Sequence, residues 1–247
     1  MGPPYYLFAN GRAALRFLEE TPHPPRRLVL NAPDRQRLGC ELRDVAEKRQ
    51  VPTDEWSEGT ARRLVDAPPS DCWILSVYFG HVLSRELLAA FDGKAVNLHA
   101  ALLPWNRGVH TNVWPLVEGS PAGVTAHRMV AEVDAGSLLL QREVVVRAWD
   151  TAGTLHRRLE DATTEMLMGA WPGMLAAWPG VQQPDGGSIH RLADFAKLDR
   201  FSLDELPEAR RFFSVLRART FPPHRGLRVI VDGQEVEARI ELFEPSK

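Results

Sequence analysis

The sequence predicts an α/β protein that is built around a mainly parallel β-sheet. Short apolar runs typical of buried strands alternate with amphipathic stretches that favour helix, and turns rich in glycine or proline separate many of them. Parallel strands need a crossover connection, so this alternation indicates a sheet with helices on both faces. The loops that follow parallel strands meet at one edge of such a sheet, where ligands bind.

The start of the chain contains the first of these strand-helix units. Tyr5–Ala9 predicts a buried strand, and Asn10-Gly11-Arg12 predicts a turn into a helix over residues 13–20. A strand, a glycine turn and a helix in succession direct backbone N–H groups toward an anion such as phosphate. A plain tight turn is the alternative, because glycine is the default turn residue.

Further strands and helices complete the first half. Ser84 predicts the N-cap of a helix over residues 85–91, because its hydroxyl can accept from the first turn. A charged amphipathic helix is predicted over residues 37–49. The predicted strands cover residues 26–30, residues 71–78 and the run that follows Gly93.

The second half predicts a change of organisation near residue 180. The composition there changes to a loop-like stretch, so we expect a main domain of residues 1–179 and a small extension of residues 180–247. Asp232-Gly233 between apolar runs predicts a β-hairpin. An isolated hairpin is only marginally stable, so it should pack on the core or on a second subunit of a homodimer. The other predicted elements are helices over residues 112–118, 154–177 and 204–219, and an antiparallel pair over 124–129 and 137–146.

Two polar residues interrupt the apolar strand after Gly93. Asn97 and His99 are two positions apart, so their side chains point to the same face of the strand. Burying an amide and an imidazole is costly unless both are hydrogen-bonded or used in function. A pair of hydrogen-bonded core residues is the structural alternative. Asp134, in a loop that ends at Gly136, is a carboxylate that can be aimed at a site.

Composition excludes several classes of function. A formal net charge of −2 provides no broad surface for nucleic acid or anionic membranes. Cys40 and Cys72 do not have the spacing of metal ligands and favour a reducing, cytoplasmic location. Neither a signal peptide nor an apolar stretch long enough for a membrane span is recognisable in the sequence.

Four short motifs together resemble the folate-dependent formyltransferase family, over roughly residues 1–150. The motifs are Asn97-Leu-His99, Leu102-Leu-Pro104, Arg107-Gly108 and Asp134-Ala-Gly136, and the 35 residues from His99 to Asp134 fit the family. The resemblance implies a Rossmann-like formyltransferase core in the main domain. Ala100 and Ala101 stand where the family usually has proline and serine.

The resemblance also implies a reaction. An amine attacks the formyl carbon of 10-formyltetrahydrofolate, and an oxyanion forms and collapses to a formamide. Asn97 would donate to the oxyanion, His99 would polarise it or shuttle a proton, and Asp134 would orient His99. No metal is required. His127, on a predicted strand, is interpreted as a core or edge histidine.

Three further sets of residues are assigned as ligand neighbours. From the resemblance, Asn10, Gly11 and Arg12 would hold substrate phosphate. The loop residues Trp105, Asn106, Arg107 and His110 are candidates for substrate contact, because loops often determine specificity. The resemblance also implies the residues around the folate, which are Tyr78, His81, Val82, Leu83, Val130, Ala131, Glu132 and Val133.

The C-terminal extension helps to indicate which amine accepts the formyl group. Its helix and hairpin resemble the tails of sugar N-formyltransferases, which favours the amine of a nucleotide-linked amino sugar. Another small-molecule amine and glycinamide ribonucleotide remain alternatives, as does hydrolysis of 10-formyltetrahydrofolate by water. An initiator-tRNA substrate is disfavoured, because its enzyme would carry a larger, basic domain.

Overall fold

A computed structural model describes residues 2–173, 179–202, 208–231 and 233–244. The chain divides into two compact units. The first comprises Met1–Ala100, Val124–Arg142 and Glu160–Pro184; the second comprises Ala101–Gly123, Glu143–Leu159 and Asp185–Lys247. The predicted boundary near residue 180 lies close to the last division. The second unit, however, also takes residues 101–123 and 143–159, which the sequence analysis placed in the main domain.

The helices and strands follow the predicted alternation in the first half. The strands are β1 Tyr5–Ala9, β2 Arg27–Leu30, β3 Thr53–Glu55, β4 Trp73–Val77, β5 Ala95–His99, β6 Arg107–Gly108, β7 Gly123–Arg128, β8 Leu138–Glu143, β9 Ile189–His190, β10 Arg200–Ser202, β11 Leu227–Val231 and β12 Gln234–Ala238. The helices are α1 Gly11–Glu20, α2 Gly39–Lys48, α3 Glu58–Asp66, α4 Arg85–Ala90, α5 Trp114–Glu118, α6 Ala152–Ala170, α7 Leu192–Ala196 and α8 Ala209–Arg219.

The first unit is organised around one mainly parallel sheet. Within the described residues its strand order is β3-β2-β1-β4-β5-β7-β8. Strands β1 to β5 pair in parallel, whereas β7 runs antiparallel to β5. The order reverses between β1 and β4, and ligands in such sheets bind at the carboxyl ends of strands beside such a switch point. The predicted α/β fold is therefore confirmed.

The local sequence explains most of these boundaries. The Ser84 hydroxyl accepts from the Leu87 amide, which confirms the predicted N-cap of α4. The apolar face of α1 is buried through Ala13, Ala14, Phe17 and Leu18. The edge strand β3 and helix α3 were not predicted, because β3 is short, polar and partly exposed.

The second unit contains the predicted hairpin and a pairing that the sequence did not predict. Strand β11 pairs antiparallel with β12, which confirms the hairpin, and β10 adds in parallel beside β11. The short strand β9 pairs with β6, and β6 lies in a stretch expected to be loop. Residues 174–177 and 204–207 of two predicted helices lie outside the described residues. In the part of the chain that is described, no helix is long and apolar enough to cross a membrane.

Candidate active site

The antiparallel pairing of β5 with β7 places a second histidine beside the predicted polar pair. Asn97 lies opposite His127 in the register, and its Nδ2 atom is 3.2 Å from His127 Nε2. His99 lies two residues further along β5, opposite Thr125. Because residues two apart share a face of a strand, the two imidazoles and the Asn97 amide face the same side of the sheet. His99 and His127 are both buried.

The carboxylate of Asp134 contacts both imidazoles. Its Oδ2 is 3.5 Å from His99 Nε2, and its Oδ1 is 3.5 Å from His127 Nε2. The side chain of Asp134 is only 11% exposed. Distances of this length are ion-pair contacts rather than full hydrogen bonds, and such contacts often shorten when substrate binds. The structure thus brings together Asn97, His99 and Asp134, the three residues that the sequence analysis predicted to act together.

The tautomer of His127 follows from its surroundings. His127 Nδ1 is 2.8 Å from the carbonyl oxygen of Arg128, and a carbonyl can only accept. Nδ1 therefore carries a proton. Nε2 is then free of a proton in this tautomer and accepts from the Asn97 amide.

The backbone around Asp134 is sterically constrained. Asp134 has φ 52°, in the left-handed region that costs a non-glycine residue about 1 kcal/mol or more. A Cβ on Gly136 would lie 1.8 Å from the carbonyl oxygen of Arg128. Only glycine fits there, so the Asp134-Ala-Gly136 motif has a direct steric cause. Strained backbone of this kind clusters at functional sites.

The residues predicted around a folate ring divide into two groups. Val130 and Val133 are about half exposed, at 43% and 46%, and offer apolar surface beside Asp134. Val82 is also exposed, at 73%. The Nε2 atom of His81 is buried and has no hydrogen-bond partner among the described residues. Desolvation, aided by the positive charge of Arg35, lowers the pKa of His81. These four residues can contact a ligand; Ala131 and Glu132 belong to the same loop as the two valines.

Two other predicted folate neighbours direct their side chains elsewhere. Leu83 is buried in the hydrophobic core with Phe8, Ile74 and Leu87, so its side chain is a core residue and only its backbone can reach a ligand. The Tyr78 hydroxyl is 3.0 Å from Thr163 Oγ1 of α6. Burial raises the pKa of Tyr78, so the hydroxyl stays protonated.

The Asn10-Gly11-Arg12 turn is occupied by side chains of the protein itself. The Arg12 amide donates to Glu160 Oε1, and its guanidinium pairs with Glu160 and Asp161. The Asn10 side chain accepts from the Arg37 amide and donates to the Arg35 carbonyl oxygen. A substrate phosphate at this turn stays a prediction, and it would have to compete with the Glu160 carboxylate.

The predicted substrate-contact loop lies in the second unit. Trp105 is 41% exposed, whereas Asn106 is fully buried at 0%. The Asn106 amide group donates to Ser120 and to the Pro121 carbonyl oxygen, so this side chain holds the loop and presents no surface to a substrate. His110 stacks on Phe195 with ring centroids 3.8 Å apart. Arg107 is partly exposed and pairs through its backbone with β9.

His127 is the functional candidate that the sequence analysis did not identify. Its strand pattern looked structural, and its distance from Asn97 along the chain concealed their contact. The signal that could have found it is the alternation in β7, since Thr125 and His127 share the face that carries Asn97 and His99 in β5. Within the described residues no cluster of His, Cys, Asp or Glu could hold a metal ion.

Comparison with protein families gives two matches along the chain. The model of the formyl transferase family matches residues 34–171. The model of the N-formyltransferase dimerization C-terminal domain matches residues 194–244. The first match includes Asn97, His99, His127 and Asp134, and the second lies within the predicted C-terminal extension.

Individual relatives agree with these matches. The chain is 30% identical to a dTDP-4-amino-4,6-dideoxyglucose formyltransferase of Mycobacterium bovis, over 68% of this chain and 72% of that one. A sugar N-formyltransferase from a Shewanella species shares the fold, with a TM-score of 0.81 and 19% identity over 98% of both chains. The formyltransferase of Anoxybacillus kamchatkensis, solved with UDP-4,6-dideoxy-4-formamido-L-AltNAc and tetrahydrofolate, is 29% identical over 75% of this chain and 94% of that one, with a TM-score of 0.56.

Proposed function

Because the chain belongs to the formyl transferase family, we propose that it transfers a formyl group from 10-formyltetrahydrofolate to the amine of a nucleotide-linked amino sugar. The observation that carries the proposal is the Asp134 carboxylate, which contacts His99 and His127 beside the Asn97 amide. Acyl transfer to an amine needs a donor for a developing oxyanion and a group that moves a proton. This cluster supplies both.

The surroundings of the cluster fit a folate. The exposed apolar side chains of Val130 and Val133 suit the face of an aromatic ring. The folate supplies the formyl group. A relative solved with tetrahydrofolate, the formyltransferase of A. kamchatkensis, supports this choice.

Each polar side chain of the cluster has a distinct task. One N–H of the Asn97 amide faces His127, and the second, which has no partner among the described residues, can donate to the formyl oxygen as negative charge develops. His99 can donate from Nε2 to the same oxygen or move the proton that the amine loses. Asp134 contacts both imidazoles and orients the rings of His99 and His127.

The overall reaction balances without a metal or an oxidant. A bond forms between the amine nitrogen and the formyl carbon, and the bond from that carbon to N10 of the folate breaks. One proton leaves the amine nitrogen and one reaches N10. His99 is within reach of Asp134, so the pair can carry a proton between these two nitrogens.

The nucleotide-linked acceptor is supported by the relatives. The mycobacterial relative is named for a dTDP-linked 4-amino sugar, and the A. kamchatkensis enzyme was solved with a UDP-linked formamido sugar.

The match of residues 194–244 to a dimerization domain supports a homodimer. Both cysteines, Cys40 and Cys72, are free, which supports a cytoplasmic location.

A coupled assay of tetrahydrofolate release tests this function. The acceptors offered are dTDP-, UDP- and GDP-linked amino sugars and glycinamide ribonucleotide. A further reaction contains no amine. We expect release only with a nucleotide-linked amino sugar, and a loss of about 10²–10³-fold in kcat for Asn97→Ala. His99→Ala should lose about 10²–10⁴-fold. The exposed His23→Ala serves as the control. Release without any amine would instead indicate a hydrolase.

A further inference from the structure

A segment far along the chain lies against the Asp134 loop. The backbones of Val181 and of Leu138, at the start of β8, form an antiparallel β-bridge. The Leu138 amide donates to the Val181 carbonyl oxygen at 2.7 Å, and the Val181 amide donates to the Leu138 carbonyl oxygen at 2.8 Å. Gly180 has φ 84°, and a Cβ there would lie 2.6 Å from Ser137 Oγ. The glycine therefore allows the segment to approach the residues that follow Asp134.

Two residues beyond this bridge, the side chain of Gln183 holds the loop. Its Nε2 donates to the carbonyl oxygen of Asp134 at 2.7 Å and to that of Gly136 at 2.9 Å. One amide group therefore spans two carbonyls on either side of Ala135. The neighbouring Gln182 is exposed, and Gln183 is partly buried.

These two bonds restrain the backbone that carries the Asp134 side chain. The backbone of Asp134 is in the left-handed region, from which a non-glycine residue relaxes if nothing restrains it. The carboxylate contacts two imidazoles at 3.5 Å each, so a displacement of the Asp134 backbone would change both contacts. The close approach of Gly136 to the Arg128 carbonyl oxygen and the hydrogen bond from Gln183 both limit movement of this loop.

We propose that Gln183 is a positioning residue for formyl transfer, which keeps Asp134 aimed at His99 and His127. This role rests on the proposed function of the same site. Gln183 acts on the backbone of the loop and does not itself need to touch either substrate. Its removal should therefore lower kcat more than it changes the KM for the folate.

The test compares Gln183→Met, which keeps the length of the side chain but cannot donate, with Gln182→Met as the matched control. We expect kcat to fall about tenfold in Gln183→Met, since misplacement by about 1 Å can cost about 10²-fold. The KM for the folate should stay within about twofold. Gln183→Glu, which is isosteric and when ionised repels both carbonyls, should lose at least as much. Unchanged kcat in both variants would overturn the proposal.

A double-mutant cycle separates positioning from a general structural effect. If Gln183 acts through Asp134, Gln183→Met should cause no further loss of kcat in an Asp134→Asn background. An equal loss in both backgrounds would show that the residue does not act through Asp134.

Amide hydrogen exchange provides a readout that does not need activity. Peptides that cover residues 130–138 should exchange faster in Gln183→Met than in Gln182→Met. This comparison stands even if the wild-type protein formylates none of the offered amines, so failure of the proposed function and failure of the Gln183 proposal are distinguishable. Equal exchange in the two variants would count against the restraint.

Discussion

His127 lies directly opposite Asn97 in the antiparallel pairing of β5 and β7, with its Nε2 atom 3.2 Å from the Asn97 amide nitrogen. The same Nε2 is 3.5 Å from Asp134, so one ring joins the residue that would bind the oxyanion to the residue that would supply the charge. A substitution at Asn97, His127 or Asp134 should therefore alter the contribution of the other two to catalysis, because residues in one network are not energetically independent.

Replacing His127 tests this network. We expect His127→Gln to lower kcat by about 10²-fold, because Asn97 and Asp134 both lose an orienting contact. The measurement is kcat at saturating folate and acceptor, with the melting temperature as a check on folding. Full activity in a folded His127→Gln protein would show that His127 is only a structural core residue. Substitution of the exposed His23, His23→Gln, is the matched control.

Removing the charge of Asp134 should have a larger effect. Asp134→Asn keeps the size of the side chain but removes the negative charge beside His99 and His127, so we expect kcat to fall by about 10²–10⁴-fold. The rate should be measured over pH 6 to 9, where a higher pH is not expected to restore it. As a control, Asp185→Asn changes an exposed carboxylate and should keep the wild-type rate.

Gly136 should tolerate no side chain. Gly136→Ala would bring a Cβ to 1.8 Å from the carbonyl oxygen of Arg128, so the loop must shift, at a cost of about 1–3 kcal/mol in the free energy of unfolding. Activity should fall as well, since Asp134 moves with the loop. Gly169→Ala in α6 is the matched control. Nothing lies within 4 Å of its Cβ, and removing a helical glycine should leave stability unchanged or raise it by up to about 1 kcal/mol. Denaturant unfolding measures both variants, and equal stability in the two would contradict the steric explanation.

The depressed pKa of His81 predicts a dependence of stability on pH. Desolvation and the charge of Arg35 lower the pKa in the folded protein below 6.5, the value for a solvated histidine. Between these two values the unfolded chain binds more protons, so folding stability falls as the pH drops below 6.5. His81→Gln removes this contribution. Its melting temperature should fall less than that of the wild type between pH 7.5 and 5.5, and an equal fall would show that His81 does not contribute.

Much of the fold follows from local patterns in the chain. The apolar run Tyr5–Ala9 and the serine before α4 specify their elements directly, because burial and capping act over a few residues. Edge strand β3 and the short strand β9 are different. Their residues are polar or exposed, and pairing with a distant strand makes them strands.

The candidate site divides in the same way. Asn97, His99 and Asp134 could be identified from residue type, spacing and resemblance. His127 could not, since a histidine on an apolar strand is equally consistent with a core residue. The register of β5 against β7 places it at the site, and register is a property of two strands together. Leu83 and Asn106 are the opposite case. Both lie in predicted binding segments, but their side chains are buried and have structural roles.

The sequence by itself determined the α/β class, the polar pair in β5 and the glycine that shapes the Asp134 loop. These features depend on periodicity, on the cost of buried polar groups and on the steric freedom of glycine, all of which are local. Only the tertiary structure decided that His127 joins Asn97 and that Gln183 restrains the Asp134 loop. Those contacts join residues 30 and 49 positions apart, and chain folding alone brings them within hydrogen-bond distance.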